Sequence, residues 1–143
     1  MTRVNRIKKL RTAAYNRQQG RCYYCSIIMC QGDYDDFASR HGITRRQAMH
    51  VQCTAEHLIA RQDCGPDSHE NVVAACRHCN HLRHQRKAPL APEPYRALVA
   101  RRIADSRWHT KDLHLLIESI PDGAKQGRQV TNSLAAVFQS VPG

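Results

Sequence analysis

The chain has 143 residues, enough for one principal domain with a modest core and an appendage. Its 22 lysines and arginines against 12 acidic residues leave a formal charge of +10, which says nothing about fold but favours a polyanionic partner. No apolar run approaches the roughly 18 residues of a membrane helix, and the charged start MTRVNRIKKLRTAAY lacks the apolar centre of a secretory leader; no membrane association is expected, and a reducing cytoplasm fits best.

In chain order, residues 3–19 predict a helix. Val4, Ile7, Leu10 and Ala14 recur at three- and four-residue spacing on one face, with Gly20 as the stop. Cys22-Tyr-Tyr-Cys25 follows as a tight knuckle. Residues 33–51 predict two short helices broken at Gly42, the second opened by a Thr44/Gln47 capping box. Residues 52–59 and 71–75 are short and partly β-branched, and the polar loop Gly65-Pro66-Asp67-Ser68 lies between them, so a β-hairpin with a long loop is expected. A helix is expected from Cys76 to about Lys87, terminated with the help of Pro89. Ala91-Pro92-Glu93-Pro94 reads as a stiff connector into a helix over 95–109, with Leu98, Val99, Ile103 and Ala104 inward. Leu113, Leu116, Ile117 and Ile120 suggest a further short helix, and Leu134, Val137 and Phe138 a last one.

Seven cysteines is an odd number, and two pairs have Cys-x-x-Cys spacing: Cys22 with Cys25, and Cys76 with Cys79. In a chain expected to stay in a reducing compartment, that pattern reads as metal rather than disulfide. Two such knuckles are the usual make-up of a closed tetrahedral zinc site, in which thiolates fill every position and no water is left to react. The expected zinc is therefore structural. Cys30 is a conceivable substitute ligand, but Cys30, Cys53 and Cys64 read more simply as spare thiols.

The stretch CTAEHLIARQDCGPDSHENVVAACRHCN asks for more than a zinc staple. Glu56-His57, Asn71 five residues before Cys76, and Asn80 directly after Cys79 resemble the HNH endonuclease family over roughly residues 5–88. The resemblance implies an α+β fold, a small and mostly helical domain around a ββα-metal motif, here joined by a four-cysteine zinc. A nuclease domain is expected at residues 1–110, with the ββα core at about 52–88 and a helical insertion at 26–51, followed by a helical appendage or tail at 111–143. By resemblance His57 is the general base, Asn71 ties the loop near His57 and fixes its ring, and Glu56 and Asn80 hold a divalent cation. His84, four residues after Asn80 on the same helix face, is a further candidate ligand. Oxygen donors suit Mg²⁺, and an added imidazole would widen tolerance to Mn²⁺, Co²⁺ or Ni²⁺. The chain carries Glu56 where many members have Asp, and Cys64-Gly65 where the loop often has Gly-Gly.

Arg61, Arg77, Arg83, Arg86 and Lys87 surround these residues and are expected to contact backbone phosphates. His78 and His81 read as surface or DNA-contacting residues. The expected function is hydrolysis of DNA phosphodiester bonds, with RNA left open as substrate and a homodimer left open as assembly. The alternative is a non-enzymatic, zinc-stapled nucleic-acid-binding module. A purely structural zinc module explains the cysteines but not the charge.

Overall fold

The computed structural model describes residues 1–118; the helix expected around Leu134, Val137 and Phe138, and Ile120, lie outside the described residues. Within them, helix α1 (Arg3–Arg17) leads through the cysteine knuckle to α2 (Tyr34–His41) and α3 (Arg45–His50). Strands β1 (Cys53–His57) and β2 (Val72–Cys76) follow, joined by a loop with one 3₁₀ turn (Arg61–Asp63). Helices α4 (Arg77–His84), α5 (Pro92–Ala104) and α6 (Lys111–Glu118) complete the order. This is the small α+β architecture expected, with a two-stranded sheet and six α-helices among the described residues.

The strands are antiparallel, with Cys53 opposite Cys76, Glu56 opposite Val73 and His57 opposite Val72. A lone hairpin is marginal in water, and here both α1 and α4 pack against it, so that every residue of β2 is buried. Gln18 closes the outer edge of β2. Its amide nitrogen donates to the Ala74 carbonyl at 2.8 Å, and its oxygen accepts from the Ala74 N–H at 3.0 Å. Leu10 and Ala14 of α1 are buried as predicted, but Val4 is 64% exposed. It sits in the first turn of α1, ahead of Leu10, the first residue of that helix to be buried.

The two helices of the insertion follow their local signals. Asp33 caps α2, Gly42 ends it in the left-handed region at φ 65°, and Thr44 and Gln47 form the full capping box of α3. Three later boundaries differ from expectation. Residues 91–94 are not a connector, because α5 already begins at Pro92. A proline in the first turn costs no hydrogen bond, since the amides there have no intrahelical partner. Helix α5 ends at Ala104 rather than near 109, and Ala104 is exposed; Tyr95 and Val99 are buried, and Leu98 and Ile103 pack against the core half-buried, as expected. Helix α4 ends at His84 rather than near Lys87. Leu113 and Leu116 of α6 join the same hydrophobic core as Ile27, Met29, Ala48 and Val51.

Candidate active site and metal centre

The four knuckle cysteines converge as their spacing predicts. Cys22 and Cys25 come from the turn after α1, Cys76 ends β2 and Cys79 lies in the first turn of α4. Their sulfurs are buried and lie within 4.8 Å of one another. Cys25 and Cys76 sulfurs stand 3.8 Å apart, and a tetrahedral zinc with bonds of about 2.3 Å sets neighbouring sulfurs about 3.8 Å apart. Each sulfur also accepts an N–H bond. Cys22 accepts from Tyr24 at 3.4 Å and from the Cys76 amide at 3.2 Å. Cys76 accepts from the Cys79 amide at 3.4 Å and Cys79 from Trp108 Nε1 at 3.2 Å, and Cys25 Sγ lies 3.4 Å from His109 Nε2, which donates when Cys25 is a thiolate. Burial pushes the Cys25 and Cys79 thiols well above the ordinary range, whereas at Cys22 hydrogen bonds from Cys25, Cys76 and Cys79 outweigh burial and hold the thiol well below it. Sulfurs ringed by donors are suited to being thiolates, so the centre fits a structural zinc ion. Cys30 stays outside it, with its sulfur 3.9 Å from the Asp33 carbonyl.

Trp108 and His109 were not legible as parts of this centre. They sit between α5 and α6, about thirty residues past Cys79, with no motif to join them to it. His78 was expected at the surface, but its ring packs against His50, His109 and Trp108, at centroid distances of 4.2, 4.9 and 5.0 Å.

The second constellation lies toward the loop end of the hairpin. Glu56 is 1% exposed, and its Oε1 accepts from Arg83 Nη1 at 3.0 Å. His84 Nε2 stands 3.0 Å from Oε1 and 3.3 Å from Oε2. Burial raises the Glu56 carboxyl above the usual range, while hydrogen bonds from His84 and Arg83 pull it back toward the carboxylate. Asn80 faces the same end from α4. Its Nδ2 donates to Thr54 Oγ1 at 3.0 Å and to the Ala55 carbonyl at 3.3 Å, so the amide oxygen is the end not spent on β1. Ligand bonds of about 2.0–2.2 Å put neighbouring ligands on one ion about 3 Å apart. The Glu56–His84 separation fits that, and the carboxylate, amide and imidazole make a donor set for a divalent cation.

His57, the last residue of β1, points to the loop. Its Nε2 lies 2.8 Å from Asp67 Oδ1. Two atoms that close must share a proton, so Nε2 carries it and Nδ1 is left with the free lone pair. Arg61 Nε, 3.4 Å from Nε2 and 3.6 Å from the same carboxylate oxygen, is the weaker contact and belongs electrostatically to Asp67. The hydrogen bond from His57, together with Arg3 and Arg61, holds the Asp67 carboxyl below the usual range. Sequence reasoning missed Asp67: within Gly65-Pro66-Asp67-Ser68 it reads as a turn former, and nothing local says that its side chain turns back to β1.

Asn71 does not hold the His57 ring. It holds the loop, accepting from Ile59 N at 2.8 Å and donating to the Ile59 and Pro66 carbonyls at 3.0 Å each. Gly65 is needed at the same crossing. A Cβ there would lie 1.8 Å from the Ile59 carbonyl oxygen. Cys64 before it takes a left-handed conformation at φ 64°, one that glycine adopts more readily.

A cleft of about 700 Å³ opens between these groups, lined by Glu56, His57, Asn80 and His84 together with Arg61, Arg86 and Lys87. Arg77 is exposed beside Asn80 on the adjoining surface. Arg83, expected among the phosphate contacts, is not on that surface. It is 4% exposed and donates to Glu56 and to the carbonyls of His57, Leu58 and Leu90. Its position on the inward face of α4 makes it the buried counter-charge of Glu56.

A family model described as HNH endonuclease matches residues 40–86, which covers α3, the hairpin, its loop and α4. No curated protein and no solved structure matches the chain. The first knuckle, Cys22–Cys25, lies before the matched span, and the fold brings it to the second. Residues 40–86, which hold the hairpin, its loop and α4, are thus the part of the chain that matches the HNH endonuclease family.

Proposed function

We propose that the cleft between β1, its loop and α4 is the active site of a metal-dependent DNA endonuclease. The observation that carries this reading is the pairing of His57 with Asp67 at 2.8 Å beside the Glu56, Asn80 and His84 donor set, in one cleft edged by three basic side chains. Nucleic-acid binding alone requires neither an oriented imidazole nor a neighbouring donor set.

Arg61, Arg86 and Lys87 hold the flanking phosphates by charge, which gives affinity without sequence preference. A divalent cation on Glu56 Oε2, Asn80 Oδ1 and His84, with Mg²⁺ the first choice and Mn²⁺, Co²⁺ or Ni²⁺ tolerated, would neutralise charge on the scissile phosphate. His57 takes a proton from the attacking water at Nδ1. The Asp67 carboxylate at Nε2 fixes the tautomer that makes this possible and stabilises the imidazolium that results. Oxygen of that water bonds to phosphorus as the bond to the 3′ oxygen breaks. The departing oxygen takes a proton from solvent, leaving 5′-phosphate and 3′-hydroxyl ends.

The test is a panel of supercoiled, linear and single-stranded DNA, and RNA, incubated with purified protein and each divalent ion, with EDTA controls. Cleavage of DNA that needs a divalent ion supports the reading. Salt-sensitive binding with no cleavage under any condition would replace it with the non-enzymatic binding module.

A further inference from the structure

A second cluster of metal-type donors lies away from the cleft. His50 ends α3, His78 lies in the first turn of α4, and His109 precedes α6. Each ring offers one nitrogen, and these three nitrogens lie within 4.8 Å of one another. Two of the rings have their partners fixed on one side only. His109 Nε2 lies 3.4 Å from Cys25 Sγ; a zinc-bound thiolate there can only accept, so Nε2 carries the proton, and His109 Nδ1 is buried with no hydrogen-bond partner. His78 hydrogen-bonds the Trp108 backbone, and since its Nε2 is buried without a partner, that bond runs through Nδ1. A neutral imidazole has one N–H and one lone pair. The outer bonds use the N–H of each ring, which leaves two buried lone pairs in one cluster with no donor between them. Buried acceptors without partners are rare in folded proteins.

We propose that His50, His78 and His109 bind a second transition-metal ion, distinct from both the four-cysteine centre and the catalytic cation. Three imidazoles suit Zn²⁺, Co²⁺, Ni²⁺ or Cu²⁺ and leave one position open. A surface cleft of about 340 Å³, lined in part by His50, His78 and Arg77, gives a path for entry. Zinc in four thiolates carries a formal charge of two minus, and His109 links that charge directly to the histidine cluster. The same Nε2–H bond that orients Nδ1 is the kind of outer partner that fixes metal-bound histidines elsewhere. Nothing in this assignment depends on the chain being a nuclease.

The experiment adds Co²⁺ to the full chain carrying its zinc, after mild chelation has cleared weaker sites. One equivalent should bind with strong visible bands and without the near-ultraviolet charge-transfer bands of sulfur-bound cobalt. It should persist in His84→Ala, which removes a donor of the catalytic cleft. In His50→Ala and in His78→Ala, checked for folding by retained four-cysteine zinc, affinity should fall at least about 100-fold, the upper end of what losing an outer partner alone costs. The proposal is overturned if no nitrogen-only equivalent binds. It is equally overturned if that equivalent survives both histidine variants, or vanishes with His84→Ala instead.

Discussion

Replacing Arg83 with alanine would leave Glu56 buried with only His84 against its carboxylate. Breaking one side of a buried ion pair costs about 3–5 kcal/mol, so Arg83→Ala should lower stability by about that much in thermal or denaturant unfolding. Arg86→Ala, on the exposed cleft edge, should leave stability unchanged. Equal effects from the two would mean that Arg83 is a surface residue after all. Asp67→Asn keeps the shape of the loop but removes the charge that fixes the His57 tautomer. Cleavage should slow by about 10²-fold, the low end for positioned proton transfer because His57 itself remains, with DNA affinity unchanged. The pH dependence follows from the lowered Asp67 value. Its contribution to holding the loop is fully present above the ordinary carboxyl value of 3.8 and is lost as pH falls through the lowered folded value. Amide exchange in the loop should show that loss in the parent and not in Asp67→Asn.

At the scale of elements, the loop between β1 and β2 is held by backbone crossings rather than by packing. Gly65→Ala forces a methyl group into the Ile59 carbonyl. Such overpacking costs about 1–3 kcal/mol or more, and it should also lower activity by shifting Asp67; circular dichroism melts and cleavage rates together would check it. Helix and strand positions were readable because their signals are local: the Thr44/Gln47 box, Gly42 and the cysteine spacing each act within a few residues. Glu56, His57, Asn80 and His84 were readable as neighbours from their spacing, and one cleft brings them together, whereas Asn71 holds the loop instead. Arg83 was misread because charge suggests exposure, and only the packed helix reveals that it faces Glu56. Asp67, Trp108 and His109 went unseen for a related reason: each acts across a turn or across tens of residues, and no periodicity encodes that. Residues 91–94 were misread because proline signals both a linker and the first turn of a helix.

For the whole molecule, the zinc centre joins the segment after α1, the end of β2, α4 and the stretch before α6. The core itself is small, and metal binding at such a site is folding energy. At least one zinc per chain should therefore survive mild EDTA dialysis, and Cys79→Ser should fail to give a cooperative thermal transition. Well-folded protein with no zinc would remove that explanation of the fold. The catalytic claim separates from it cleanly, because the His57 ring hydrogen-bonds Asp67 and meets Arg61 rather than the cysteines or the cation donors. The most direct measurement is the rate of supercoiled-plasmid nicking by the parent and by His57→Ala, over a Mg²⁺ and Mn²⁺ titration, with zinc content and DNA affinity matched. His57→Ala should cut about 10²–10⁴-fold more slowly at every metal concentration, the scale of a lost general base. A variant that nicks at the parental rate would contradict the assignment of His57 and the active site built around it.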